Sequence, residues 1–256
     1  MKKIWKIIIA TVCLIAQVGW AADASKQSFT PEQSKAIEAI IHDYLLQNPE
    51  ILIEVSQKLQ QRMQEKAMQK AKEQIQAHIK PLFFAPTSPV LGNTKAVTKI
   101  VEFFDYQCIH CKQEAEIIQT LIKQNSDIQV IFKNFPIRGP VSDFAAQASI
   151  AAQMQGKFSQ FHHALFKVDQ PLTQDIILTT AKTSGLDVPR LKQDMKSPKV
   201  RAEIEANLEL AQKLEMPGTP ALVIGRVPNE TTAAPVFYIP GAVNAEVLKS
   251  YIEKSK

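Results

Sequence analysis

The stretch FFDYQCIHCKQEA, Phe103 to Ala115, sets Cys108 and Cys111 two residues apart with His110 between them. Three chemistries fit that spacing: half of a zinc site, a structural bridge, or a working dithiol. The run before it, AVTKIVEFFD, is β-rich, and the run after it, AEIIQTLIKQ, has helical spacing. The pair therefore sits where a strand turns into a helix. Unpaired backbone N–H groups and the helix dipole stabilise an anion at such a corner, so Cys108 should ionise readily. A protonated or hydrogen-bond-donating His110 acts in the same direction. An unperturbed thiol near pKa 8.5 is only a few per cent thiolate at neutral pH, whereas values of about 3.5 to 7 make the thiolate abundant or dominant. Potentials of proteins with this motif spread over about 150 mV, worth about 7 kcal/mol, so the two residues inside it have wide scope to tune the chemistry.

The rest of the chain narrows the choice. Of three cysteines in 256 residues, the third, Cys13, lies in a leader-like N-terminus. There, Lys2, Lys3 and Lys6 precede the apolar run IIIATVCLIAQV, and GWAADA offers small residues for cleavage after Ala21 or Ala22. The run is shorter than the roughly 20 residues a membrane anchor needs. Val12 is too bulky for a lipoprotein cleavage site at Cys13. Residues 1–22 thus read as a secretory signal peptide, and the expected location is the periplasm. Losing three lysines leaves 27 of the 30 basic residues against 25 acidic ones, a net charge of +2 in place of +5. So small a balance, with no basic stripe interleaved with aromatics, excludes nucleic acid as a natural partner. After cleavage Cys108 and Cys111 are the only thiols, which rules out a four-cysteine metal site within one chain. A structural bridge closing so short a loop adds little stability, and redox activity is the reading that remains strongest.

Ahead of this region, FTPEQ supplies Thr30 as a helix N-cap, Pro31 at the first helical position and Gln33 to close a capping box. Ile37, Ile40, Ile41, Tyr44 and Leu45 form one apolar face. QNPE then stops the helix, with Asn48 and Pro49 read as restarting a second one that carries Leu52, Val55, Leu59 and Met63. The pair bears no chemistry and too few apolar residues for a core of its own. Residues 23–80 are therefore expected to self-associate, as a dimer before a trimer. Residues 81–94, rich in proline, read as a linker. From 95 to 256 the order is strand, helix, strand, a helical block over about 142–214, two strands around PGTPALVIG and PVFYIPG, and a closing helix.

VEFFDYQCIHC together with MPGTPALVIG resembles the DsbA-like thiol:disulfide exchange proteins, and VSDFAAQASIAAQMQGKFSQFHHALF resembles their helical segment. The resemblance implies an α/β thioredoxin fold with an inserted helical domain, preceded here by an α-helical oligomerisation region. It implies Cys108 as nucleophile, Cys111 as resolving cysteine, together a redox-active disulfide, and His110 as a stabiliser of the thiolate. It further implies Pro220 as a cis-proline opposite the thiols, Thr219 as a main-chain binding point for substrate, and Glu102 as a buried acid with Lys133 as its candidate partner. His162 and His163 are given no role. Ile109 departs from the family's proline, and IIHDYLLQNPEILIEVSQKL resembles the oligomerisation segment of ScsC-like proteins. The implied activity is formation or rearrangement of disulfides in cysteine-containing exported proteins, with a membrane redox partner and neither cofactor nor bound metal. The alternative is a periplasmic copper-binding or chaperone protein using the CxxC pair as ligands.

Overall fold

A computed structural model describes residues 29–255, so the expected signal peptide lies outside the described residues. The chain divides into two compact units, one ending at Gln61 and the other beginning at Arg62. In the first, helix α1 (Pro31–Gln47) opens with the expected capping box: the Gln33 N–H donates to Thr30 Oγ1 at 3.2 Å and the Thr30 N–H donates to Gln33 Oε1 at 2.9 Å. None of its residues is buried. Asn48 does not cap the second helix. Its side-chain amide turns back to Tyr44 O at 2.8 Å and closes α1, and α2 (Glu50–Ala77) follows. The sequence pattern S/T/D/N-Pro fits either end, and here the freed carbonyls of α1 take the amide.

The second unit holds a five-stranded sheet of order β1-β3-β2-β4-β5, with β1 Val90–Gly92, β2 Thr98–Phe104, β3 Ile128–Asn134, β4 Ala221–Arg226 and β5 Val236–Pro240. Only β2 and β3 run parallel; β1, β4 and β5 are each antiparallel to their neighbours. Helix α4 (Ile109–Gln124) makes the β2–β3 crossover, and α10 (Ala245–Lys254) closes the chain. Five helices separate β3 from β4: α5 (Pro140–Met154), α6 (Phe158–Phe166), α7 (Gln174–Thr183), α8 (Val188–Asp194) and α9 (Pro198–Lys213). Thr173, Asp187 and Ser197 cap the last three through their side-chain oxygens, so each start is written locally. Among the described residues no helix is long and apolar enough to cross a membrane.

Every residue of β2 is buried, because both sheet faces are covered. Ile100, Phe104 and Phe132 pack with the inserted helices and with Leu248 and Ile252 of α10. Val101, Phe103 and Ile131 pack on the opposite face against Ile75, Ile79 and Leu82. Two domain expectations change as a result. The last turns of α2, with α3 (Ile79–Phe83), belong to the core of the second unit instead of ending a separate helical region at residue 80. The segment read as a linker over 81–94 contains β1, whose Val90 lies opposite Ile131. Gly92 makes that edge possible: its φ is +86°, and a Cβ there would sit 2.6 Å from Ile128 O. A three-residue strand directly after Pro89 leaves no alternating pattern to read.

The face bearing α9 contains a polar cluster. Lys133 Nζ donates to Ser88 Oγ at 2.7 Å, and Ser88 Oγ donates to Glu203 Oε1 at 2.7 Å while the Thr87 hydroxyl donates to Oε2. Burial lowers the Lys133 pKa to about 8, opposed by the charge of Glu203. Glu203→Leu should therefore destabilise the fold by about 3 kcal/mol or more, because it leaves the buried ammonium uncompensated. Lys133→Met should cost clearly less, since two hydroxyls still serve the carboxylate; urea unfolding of both variants checks the order.

Candidate active site

Strand β2 ends at Phe104, and the next four residues build the turn that delivers Cys108 as N-cap of α4. Asp105 holds that turn. Its Oδ1 accepts from the Gln107 N–H at 2.8 Å and the Ser142 hydroxyl at 2.6 Å, and its Oδ2 accepts from the Ile137 and Arg138 N–H groups at 2.9 and 3.0 Å. The loop after β3 is thereby tied to the cysteine turn. Arg138 Nη2 lies 3.8 Å from Cys108 Sγ.

Both cysteines are free thiols and both are buried. The Thr219–Pro220 peptide is cis, and the Cys108 thiol donates to Thr219 O at 3.3 Å. Strand pairing explains how distant segments meet: Phe103, near the end of β2, lies opposite Ala221, the first residue of β4, so the residues just before β4 face those just after β2. Cys108 is pulled from an ordinary 9.0 to about 5, mainly by a hydrogen bond from the Cys111 thiol. The backbone N–H groups of Cys111 and His110 and the Thr219 side chain add to this, while burial opposes it. Cys111 moves the opposite way: burial, its hydrogen bond to Cys108 and the charge of Glu102 hold it protonated. One sulfur is poised to react and the other to keep its proton.

The remaining sequence candidates divide. His110 is exposed, and its contribution to the thiolate comes through its backbone N–H, not the expected imidazole. Glu102 points to the same sheet face as Phe132, beside the cysteines, with neither carboxyl oxygen hydrogen-bonded. Lys133 is not its partner. It pairs in register with Phe103, so its side chain leaves by the opposite face and reaches Ser88. Alternation along parallel strands forbids the pairing that proximity in sequence suggested. His162 sits fully buried among Phe104, Phe132 and Phe158, with Nδ1 3.0 Å from the Tyr106 hydroxyl, which donates to Ser149.

Sequence reasoning overlooked Asp105, Arg138, Lys112 and Glu114. Asp105 lay inside the opening stretch, and Glu114 follows Cys111 by the three residues that put two side chains on one helix face. Lys112 Nζ donates to Val168 O at 2.8 Å and Asp169 Oδ1 at 2.6 Å. It thereby holds the loop after α6 as the far wall of a groove of about 320 Å³ that begins at Cys108 and Ile109 and runs past Phe166 and Leu172. Arg138 carried no pattern at all.

Residues 99–253 match the DSBA-like thioredoxin domain. The chain belongs to that family. Residues 33–66 match a second description, the copper resistance protein ScsC N-terminal domain. Among solved structures, BcfH of Salmonella enterica Typhimurium is 31% identical, with a TM-score of 0.75, over 88% of this chain and 96% of that one. The catalytic domain of Proteus mirabilis ScsC is 25% identical, with a TM-score of 0.63, over 72% and 97%. A periplasmic thioredoxin-like protein from Salmonella enterica serovar Typhimurium is 27% identical, with a TM-score of 0.58, over 69% and 94%. A probable disulfide bond formation protein D of Bacillus cereus is 28% identical over 156 residues, 56% of this chain and 72% of that one. The DsbA-like assignment gives the chain a thiol:disulfide oxidoreductase family, a thioredoxin fold and, for the five helices between β3 and β4, the status of the family's helical insertion.

The low pKa of Cys108 ties stability to pH with a definite sign. Ionisation favours the folded, reduced protein fully above pH 9 and is lost as pH falls through about 5, where the thiol is protonated whether folded or not. The melting temperature of the reduced form should therefore drop relative to the disulfide form over that interval. Paired calorimetric scans from pH 9 to pH 4.5 measure it.

Proposed function

We propose that this protein is a periplasmic, homo-oligomeric thiol:disulfide interchange protein that forms and rearranges disulfides in exported proteins. The observation that carries the reading is the opposed pair of sulfurs: Cys108 near pKa 5 at a helix N-terminus beneath Thr219, and Cys111 behind it, held as a thiol. In the oxidising direction a substrate thiolate attacks Cys108 of the Cys108–Cys111 disulfide, and the electron pair of the broken bond goes to Cys111, which takes a proton. A second substrate thiolate then attacks the sulfur of the first at the mixed disulfide and expels Cys108 as a stable thiolate. In the rearranging direction reduced Cys108 attacks a wrong disulfide, and Cys111 resolves the mixed disulfide when the substrate fails to do so. The main chain at Thr219 pairs with an extended substrate segment. Glu102 handles the Cys111 proton, and a membrane redox partner resets the dithiol.

Self-association is supported by α1 and the start of α2, which leave Ile40, Ile41, Tyr44, Leu52, Val55 and Leu59 each more than half exposed. At about 1.5–3 kcal/mol per fully buried large apolar side chain, covering all six on each copy is of the order of the roughly 4–15 kcal/mol that association costs. A dimer is the proposed state, and a trimer is the competing one.

The protein should reduce insulin in the presence of dithiothreitol and recover activity from a scrambled multi-disulfide substrate. Cys108→Ser should lose both activities, and Cys111→Ser should accumulate mixed disulfide. An inactive wild type that binds copper stoichiometrically, and loses it in Cys108→Ser, would sink the enzyme reading. Light scattering on protein lacking residues 23–61 should give a single-chain mass; deletion to 80 would also remove Ile75 and Ile79 from the core. An unchanged number of chains per particle would overturn the role of these helices.

A further inference from the structure

Two carboxyl groups lie beside the cysteines with no cation against them among the described residues. Glu102 on β2 and Glu114 on α4 are both 0% exposed; neither Glu102 oxygen has a hydrogen-bond partner, and the one donor near Glu114 is the Val243 N–H. Buried acids are ordinarily paired or hydrogen-bonded, because an unpaired buried charge costs several kcal/mol. Glu114 follows Cys111 by three residues on the buried side of α4, and Glu102 faces the same helix from β2. The fold thus places two acids beside the dithiol, Glu102 acting on Cys111 and Glu114 feeling Cys108, where one would be enough to move a single proton.

We propose that Glu102 and Glu114 act as one unit that exchanges a proton with Cys111, and that Glu114 times the transfer to the state of Cys108. The proposal rests on the thiol-exchange reading above. Two neighbouring carboxyls in a low-dielectric site do not both ionise, so the unit loses at most one proton, and the carboxyl that loses it can take one back. Burial raises both acids; the charge of Glu114 raises Glu102 further, and the Cys108 thiolate raises each of them. The other groups facing this pair are Cys111, Tyr106, which feels the charge of Glu102, and the Val243 N–H from the segment before α10, which favours ionised Glu114. Arg138 faces Cys108. Lys133 is on the other side of the sheet.

The consequence is a sequence of events. While Cys108 is a thiolate, its charge keeps the unit protonated and Cys111 remains a thiol. When Cys108 becomes bonded to a substrate sulfur that charge vanishes, and one carboxyl of the unit gives up its proton to solvent, where the thiolate displaced in that first attack takes it. The carboxylate so formed takes the proton of Cys111; the Cys111 sulfur forms the bond to Cys108, the Cys108–substrate bond breaks, and its electron pair leaves on the substrate thiolate. Run backwards, the unit returns the proton to Cys111. No oxidant beyond the disulfide itself enters.

Ellman's reagent separates the steps. With the reduced full chain, attack by Cys108 releases one thionitrobenzoate and resolution by Cys111 releases a second, each seen by its absorbance. Removing the charge of Glu114 lets Glu102 ionise more easily, so in Glu114→Gln the midpoint of the second release should fall by about one pH unit or more. In the double variant Glu102→Gln/Glu114→Gln the second release should slow on the order of 100-fold and lose that midpoint. A wild-type midpoint in Glu114→Gln overturns the proposal and leaves Glu114 as packing. Absence of the first release in the wild type would instead defeat the dithiol reading itself. Should the variants fail to fold, infrared difference spectra of Cys111→Ser decide: blocking Cys108 with methyl methanethiosulfonate should convert a buried carboxyl to carboxylate, and an unchanged carboxyl band refutes the unit.

Discussion

Four hydrogen bonds converge on the buried carboxylate of Asp105, and the site is organised around them. They join the end of β2, the turn into α4, the loop after β3 and the first turn of α5. Charged acceptors make hydrogen bonds worth about 1.5–3 kcal/mol each, so this one side chain opposes any drift among those segments. What the carboxylate fixes is position. Cys108 sits at the N-cap of α4, Arg138 beside its sulfur, and Thr219 opposite, delivered by the antiparallel pairing of β2 and β4. A thiolate is stabilised there by donors that do not move when it forms, which is the condition for electrostatic stabilisation without reorganisation.

The α/β thioredoxin fold with its helical insertion was legible because its signals are local. Strand-rich AVTKIVEFFD, the cap at Thr30, and the paired motifs CIHC and MPGTPALVIG each specify a short piece of backbone. The cysteine pair was legible for the same reason. Glu102 and Lys133 show where that reasoning stops. Both lie on neighbouring strands, but which face each side chain takes depends on register, and a parallel register is set by tertiary packing. His110 shows a second limit: its identity suggested an imidazole at work, whereas the contribution comes from a backbone amide that any residue but proline would supply. Arg138 and Lys112 reach their partners across 30 and 56 residues of chain. Nothing in sequence spacing encodes such contacts.

The boundary between the units reveals a related lesson. The long helix after Glu50 was read as part of the self-associating region, yet its Ile75 is buried in the sheet core and Ala71, one turn earlier, is buried as well. These two apolar residues decide the membership of its last turns, against a mostly polar background. Proline content made 81–94 look like a connection, although three residues of it complete the sheet. Composition averages over windows longer than these contacts. Burial is decided residue by residue.

Lys112 stands directly after Cys111, and its ammonium carries the far wall of the groove. The helix that supplies the sulfur chemistry therefore also sets the width of the channel beside it. Of its two bonds, the one to Asp169 ends on a side chain 93% exposed, where salt screens it. The one to Val168 O is a charge-to-carbonyl bond that screening weakens far less. The helical insertion is thus tethered to the cysteine-bearing helix by a strut whose reach is one lysine side chain, and the half of it that ends on a carbonyl is the half that salt disturbs least.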